Sequence, residues 1–158
     1  MKIHELLERD PRTIGLANQG QARIRSERTH QAATELRHEL ESFVCDGEYG
    51  RALERILGQF LASISKPKQS AAWVAGFFGS GKSHLLKMLG HLWVDTAFED
   101  GVSARTLVRG LPDDVRAHLR ELDTKASRLG VPLKAPSGTL PAGSGDFVRA
   151  TILSIILG

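Results

Sequence analysis

One glycine-rich stretch of this sequence has the residue types and the spacing that bind the phosphates of a nucleotide. Residues 76–83 read G-F-F-G-S-G-K-S and match the pattern G-x-x-x-x-G-K-[ST] in full. The glycines let successive backbone N–H groups converge on a phosphate, and a helix that follows directs its positive end at the same oxygens. The lysine adds a charge at the β- and γ-phosphates, and the serine hydroxyl ligates Mg²⁺. The pattern therefore predicts a site for ATP and Mg²⁺.

The predicted cofactor-binding residues are the loop and the residue after it. They are Gly76, Phe77, Phe78, Gly79, Ser80, Gly81, Lys82, Ser83 and His84. Ser83 is the predicted Mg²⁺ ligand. For His84, packing of the helix is favoured over contact with the nucleotide.

Hydrolysis of ATP also needs an acidic residue that helps to hold Mg²⁺ and a group that orients the attacking water. Asp95 follows an apolar run, but the run belongs to the helix predicted after the loop, so we expect Asp95 to end that helix. No other acid after the loop stands at the end of a predicted strand. The catalytic residues are therefore unassigned, and we expect this chain alone to bind nucleotide without efficient turnover.

The segments on either side of the loop predict the elements that position it. Residues 71–75 (A-A-W-V-A) are a short apolar run, which is typical of a strand buried in a parallel sheet. From Lys82 onward, leucines recur at helical spacing. The sequence thus predicts a strand, a loop and a helix, which is the context that would confirm a phosphate-binding loop.

Helical periodicity dominates the chain before this unit. Apolar residues recur every three or four positions within residues 28–65 and predict two helices, separated at the Asp46-Gly47 pair. The pair of helices could pack against the sheet or form a small subdomain. Closer to the N-terminus, we expect a short helix and a short strand at residues 21–24.

The segment after this unit is predicted to contain further helices. Pro112 and the two acidic residues after it are typical of a helix start, and Gly130 ends the same pattern. Residues 131–133 predict a short strand. Residues 147–157 fit a helix capped by Ser144, although a strand remains an alternative.

Together these elements predict an α/β fold. It is a P-loop NTPase core of the AAA-like kind, with a parallel sheet and flanking helices, preceded by an N-terminal helical segment. The linker K-P-K-Q-S divides the chain into a mostly helical segment, residues 1–70, and the NTPase core, residues 71–158. Because the chain ends inside an apolar element, we expect the core to be incomplete at its C-terminal end and the sequence to be part of a longer protein.

Composition excludes several classes of protein. No apolar stretch approaches the ~18 residues of a membrane span, and the N-terminus carries charges where a secretion signal is apolar. The single cysteine, Cys45, excludes an internal disulfide framework and a Cys-based zinc site. These features predict a cytoplasmic protein without a membrane partner. The net charge of +3 permits contact with DNA, but no DNA-reading element supports it.

The amino-acid sequence in and around the loop is more distinctive than the general phosphate-loop pattern. Residues 73–84 read W-V-A-G-F-F-G-S-G-K-S-H, and the helical stretch at residues 49–57 reads Y-G-R-A-L-E-R-I-L. In these stretches the chain resembles the BrxC/PglY family, the large P-loop ATPases of bacteriophage-exclusion and phage-growth-limitation systems. The opening residues 1–7 and the stretch at residues 138–146 are similar to that family as well. The resemblance spans most of this chain but only the N-terminal part of the far longer family pattern.

The resemblance implies an ATPase that acts in defence against phage within a multi-protein system, which includes a DNA methyltransferase. It implies that the nucleotide-binding positions are Gly76, Gly79, Gly81, Lys82 and Ser83. The family's downstream ATPase residues have no counterpart here. Two alternatives stay open: a switch in which bound nucleotide controls assembly, including assembly of a homo-oligomer, and, less favoured, a small P-loop kinase. The kinase is less favoured because no lid with paired arginines is present and a long segment precedes the loop.

Overall fold

The chain is helical wherever its structure is described. The computed structural model describes residues 30–140 and 148–157. Its helices are α1 (His30–Ser42), α2 (Gly47–Ser63), α3 (Lys82–Val94), α4 (Ala104–Leu107), α5 (Asp113–Leu129) and α6 (Val148–Leu157). Within the described ranges there is no β-strand, and the one β-type pairing is an isolated antiparallel bridge between Ala97 and Ser103. The helix and strand predicted before residue 30 lie outside the described residues.

The predicted α/β fold is wrong. The described part of the chain is 61% helical and has no sheet, unlike a P-loop NTPase with a parallel-sheet core. Residues 71–75 are irregular, and Trp73, predicted to lie in a buried strand, is 92% exposed. Residues 131–133 are irregular as well. A strand needs neighbours that accept and donate its backbone hydrogen bonds, and the other apolar runs of the described chain have the period of helices.

The helices predicted from periodicity are confirmed. The two helices of residues 28–65 are α1 and α2, and the helix after the loop is α3. Helix α5 follows Pro112 and ends at Gly130, whose φ of 66° places it in the left-handed region that favours glycine. The C-terminal apolar run is helix α6, as preferred over a strand, while its predicted cap, Ser144, lies outside the described residues.

One hydrophobic core joins helices on both sides of the predicted linker. Its fully buried side chains come from α1, α2, α3 and α5 and include Leu40, Leu53, Leu57, Met88, Leu92, Val115 and Leu119. The most extensive helix–helix contact in the described chain is between α2 and α5. The domain boundary at residue 70 stays a prediction, but α1 and α2 pack against helices that follow it.

A buried ion pair connects α1 to α3. The Nζ of Lys87 lies 2.5 Å from an Oε atom of Glu39, and the two side chains are only 7% and 10% exposed. The same carboxylate oxygen has no partner with hydrogen-bond geometry, so the contact is an ion pair rather than an aligned hydrogen bond. Removing one partner from such a pair leaves an uncompensated buried charge, which is strongly destabilising. The pair therefore favours one arrangement of α1 against α3.

Arg105 holds the opposite end of α3. Its guanidinium donates to the backbone oxygens of Leu92 at 2.7 Å and Trp93 at 3.1 Å. It also makes a two-pronged contact with the carboxylate of Asp123 on α5, at 2.5 and 3.0 Å. The last carbonyls of a helix have no hydrogen-bond donors within the helix, and they carry the negative end of the helix dipole. An arginine at this end donates hydrogen bonds to the carbonyls and places a positive charge beside the dipole. Arg105 thus links the C-terminal end of α3 to α5.

The buried surroundings of α3 predict how stability depends on pH. Burial lowers the pKa of His84 and of His91; Lys87 lowers it further, and Glu39 opposes the shift. Below the ordinary imidazole pKa of about 6.5, the unfolded chain then binds more protons than the folded one. The free energy of unfolding should therefore be highest above that pH and decrease as the pH falls toward the folded-state values.

Urea unfolding at about pH 7.5 and about pH 5.5 measures this dependence, since carboxylates titrate largely below that window. The double variant His84→Gln/His91→Gln is the comparison, because it retains every other titrating group. We expect the wild type to lose more stability than the variant between the two pH values. Equal losses in the two chains would show that these imidazoles do not cause the dependence.

Candidate functional site

The glycine-rich loop forms a tight turn directly before α3. The backbone N–H of Ser80 donates to the carbonyl of Phe77 at 3.2 Å, which closes the turn. Gly79, with φ of 80°, stands at the third turn position, where a positive φ is the mark of a type II turn. A Cβ atom on Gly76 would lie 2.9 Å from the Ser80 hydroxyl oxygen. The glycines therefore let the two ends of the loop approach each other.

Helix α3 begins at Lys82 with its N-terminal end uncapped by a side chain. Gly81 occupies the cap position with φ of 76° and, having no side chain, supplies no cap hydrogen bond. The first helical hydrogen bond runs from the N–H of Leu85 to the carbonyl of Gly81 at 2.8 Å. The first N–H groups of a helix have no partners within it, and they carry the positive end of the helix dipole. The loop thus leads into a helix end that suits an anion.

The side chain of Lys82 folds back across the loop. Its Nζ donates to the carbonyl of Phe77 at 2.5 Å and to the hydroxyl of Ser80 at 3.2 Å. An ammonium has three donors, so these two contacts leave a third for another acceptor. Phosphate oxygens are stronger acceptors for a cation than a neutral carbonyl or hydroxyl. The lysine is therefore placed at the loop with a donor to spare.

Tyr49, on the first turn of α2, contacts the loop directly and was not predicted from the sequence. Its hydroxyl donates to the carbonyl of Ser80 at 2.9 Å. A Cβ atom on Gly81 would lie 2.1 Å from the same hydroxyl, so only glycine leaves room there. The ring packs edge-on against Phe43, with ring centroids 6.3 Å apart. Tyr49 and Ser80 are 31 positions apart in the chain, and no spacing rule connects them.

The remaining predicted residues lie in two different surroundings. Ser83, the predicted Mg²⁺ ligand, is exposed on the first turn of α3, and its metal role stays a prediction. His84 is half-buried and packs edge-on against Phe43, with ring centroids 5.6 Å apart. This packing agrees with the alternative favoured for His84, and contact with nucleotide stays a prediction. Phe77 is 91% exposed, and Phe78 is fully exposed.

Two aspartates near α3 have structural partners. Asp95 ends α3, as expected, in the left-handed region with φ of 48°, and its carboxylate accepts the backbone N–H of Arg105 at 3.0 Å. It stands at the other end of a 13-residue helix from the loop, about 20 Å along the axis. Asp123 pairs with Arg105. The described ranges contain no group of three or more His, Cys, Asp or Glu side chains that could hold a metal ion.

Comparisons with protein-family models, with curated proteins and with solved structures find no match to this chain. A search of the helices in the described ranges finds none that is long and apolar enough to cross a membrane.

The two positive-φ glycines of the loop provide a matched test of its packing. Alanine at either position takes up a left-handed conformation, which costs about 1–2 kcal/mol. Gly79 has open space where its Cβ would lie, whereas Gly81 faces the Tyr49 hydroxyl. We therefore expect Gly81→Ala to lower the free energy of unfolding by about 1 kcal/mol more than Gly79→Ala, since it also displaces the hydrogen bond to Ser80.

Urea unfolding of the two variants measures the difference, and a double-mutant cycle identifies its cause. In a Tyr49→Phe background the hydroxyl is gone, so the additional cost of Gly81→Ala should shrink. If Gly79→Ala and Gly81→Ala cost the same in the wild-type background, the close approach of Tyr49 to the loop is not a constraint in solution.

Proposed function

We propose that this chain binds ATP with Mg²⁺ through residues 76–83, as the ATP-binding part of an ATPase that acts in defence against phage. The observation that carries the nucleotide part is the placement of the Lys82 ammonium across a glycine turn that leads into the uncapped start of α3. The defence role, the partner proteins of such a system and the coupling to ATP hydrolysis are supported by the resemblance of residues 49–57 and 73–84 to the BrxC/PglY family.

The loop offers a distinct contact for each part of the ligand. Phosphate oxygens would accept hydrogen bonds from the backbone N–H groups at the start of α3. Lys82 would move its donors from the Phe77 carbonyl and the Ser80 hydroxyl to the β- and γ-phosphates. The exposed hydroxyl of Ser83 would hold Mg²⁺, which neutralises charge on the phosphates when bound. All three groups lie within one short segment of the chain.

Binding rather than turnover is the activity proposed for this chain by itself. Asp95 is remote from the loop, and Asp123 is paired with Arg105, so neither acid is placed to help hold Mg²⁺ at Ser83. Hydrolysis needs such an acid and a group that orients water. We propose that any hydrolysis of ATP bound at this loop depends on acidic residues other than these two.

Calorimetric titration of Mg-ATP into the purified chain tests the proposal. The variant Lys82→Ala loses the charged hydrogen bonds of the lysine, so we expect its Kd for Mg-ATP to rise by about ten- to a hundredfold. Lys134→Ala is the matched control, since it removes an exposed lysine outside the loop, and it should bind like the wild type. Equal binding by wild type and Lys82→Ala, or no binding by a wild type that unfolds cooperatively, would contradict the proposal.

The alternative function, a switch in which nucleotide controls assembly, is favoured by one observation. Large aromatic side chains stand exposed at the loop: Trp73 and Phe77 are more than nine-tenths exposed, and Phe78 is fully so. Three large aromatic side chains exposed within six residues of sequence favour a surface that contacts another molecule. A partner bound there would respond to any change of the loop on nucleotide binding.

Sedimentation of the chain with and without Mg-ATP tests this alternative. The switch predicts a nucleotide-dependent change in oligomer size, which Lys82→Ala should lack. Replacement of the exposed rings by Phe77→Ser/Phe78→Ser should also remove the change. A size that is independent of nucleotide would exclude a switch of self-assembly.

A further inference from the structure

We infer that Tyr49 fixes the orientation of the Ser80–Gly81 peptide group and is thereby a positioning residue for phosphate binding. The inference rests on the proposed function, because it concerns how that same loop binds phosphate. Helix α2 supplies no residue of the motif, but it contributes to the site through Tyr49.

The geometry of a planar peptide carries the argument. The Tyr49 hydroxyl donates to the Ser80 carbonyl oxygen at 2.9 Å. In a trans peptide the C=O and the following N–H point in opposite directions, and the described chain has no cis peptide bond. With the Ser80 carbonyl held toward α2, the N–H of Gly81 points away from α2. The hydroxyl therefore selects the direction of a backbone donor in the loop.

This peptide needs an external constraint because glycine follows it. Rotating a peptide group by half a turn changes ψ of the residue before it and φ of the residue after it. Gly81 has φ of 76°, and glycine adopts negative φ about as readily as positive φ. Glycine at position 81 therefore sets no steric barrier of its own against the other orientation of the Ser80–Gly81 peptide. A hydrogen bond to the Ser80 carbonyl favours the observed orientation.

Tyr49 is itself held by the core and not by the loop. It lies on the first turn of α2, and its ring packs edge-on against Phe43 as part of the core that contains α1, α2 and α3. The hydroxyl approaches so closely that a Cβ on Gly81 would collide with it. The position of the donor is therefore set independently of whether the loop holds a ligand.

The variant Tyr49→Phe removes the hydroxyl and retains the ring that contacts Phe43. We expect the Kd of the folded variant for Mg-ATP to rise by about three- to tenfold, the effect of one neutral hydrogen bond. In glycine-¹⁵N-labelled protein, the Gly81 amide signal should move or broaden as its peptide gains a second orientation. The signals of Gly58 and Gly90, which lie within α2 and α3, should stay in place.

A variant with a purely structural lesion separates positioning from stability. Leu122→Val trims a buried side chain of α5 and leaves Phe43, Tyr49 and the loop intact, so it should lower the free energy of unfolding and change the Kd of the folded chain by less than about twofold. If Tyr49→Phe does not fold, the wild type supplies the readout. Tyr49 is the chain's only tyrosine, so a ¹³Cζ-tyrosine label gives one signal, which should keep its hydrogen-bonded position when Mg-ATP binds.

The outcomes distinguish this inference from the proposed function. Weaker binding by Tyr49→Phe together with a changed Gly81 signal supports the inference. Equal Kd values for wild type and Tyr49→Phe overturn the inference, and the proposed function still stands if binding depends on Lys82. Weaker binding by Tyr49→Phe with an unchanged Gly81 signal also overturns the inference. Loss of the hydrogen-bonded ¹³Cζ position when Mg-ATP binds overturns it too. A wild type that does not bind Mg-ATP overturns the proposed function and the inference with it.

Discussion

The burial of one face of α3 is the constraint on which the rest of the structure depends. Leu85, Met88 and Leu92 are buried in the core, so the axis of α3 is fixed by packing against its neighbours. The glycine loop lies at the start of this helix, and its direction relative to the core follows from that axis. A loop of glycines has little conformational preference of its own. Its order therefore comes from the helix after it and from Tyr49 beside it.

Polar contacts make the packing of α3 specific at both ends and in the middle. Lys87 meets Glu39 in a buried ion pair on α1, Arg105 satisfies the last carbonyls of α3, and Tyr49 holds the loop at its start. Hydrophobic burial alone is non-directional, whereas the hydrogen bonds of Arg105 and Tyr49 have directional geometry, and the ion pair requires α1 and α3 to bring its two charges together. The uncapped end of α3, the Lys82 ammonium and the Gly81 peptide are therefore all positioned by contacts within the chain itself.

The sequence predicted the helices correctly, but it misassigned two short strands and did not show how the elements combine. Periodic leucines and end signals such as Pro112 and Gly130 located the helices, because helix formation depends on nearby residues. Residues 71–75 were misassigned, since composition alone cannot supply the neighbouring strands that a buried strand requires. The motif located the loop, but Tyr49 was missed because its contact with Ser80 spans 31 positions of sequence. Contacts of that range are decided by tertiary packing, which one sequence does not display.

The proposed site is a preformed cradle for phosphate groups, formed by the loop before α3. Titration of the glycine-¹⁵N-labelled chain with inorganic tripolyphosphate and Mg²⁺ tests it most directly, because the probe has no base or sugar. We expect saturable shifts of the Gly79 and Gly81 amide signals, with the Gly58 and Gly90 signals unmoved and no such shifts in Lys82→Ala. Unmoved loop signals in a folded chain, or small shifts spread evenly over all glycines, would contradict it.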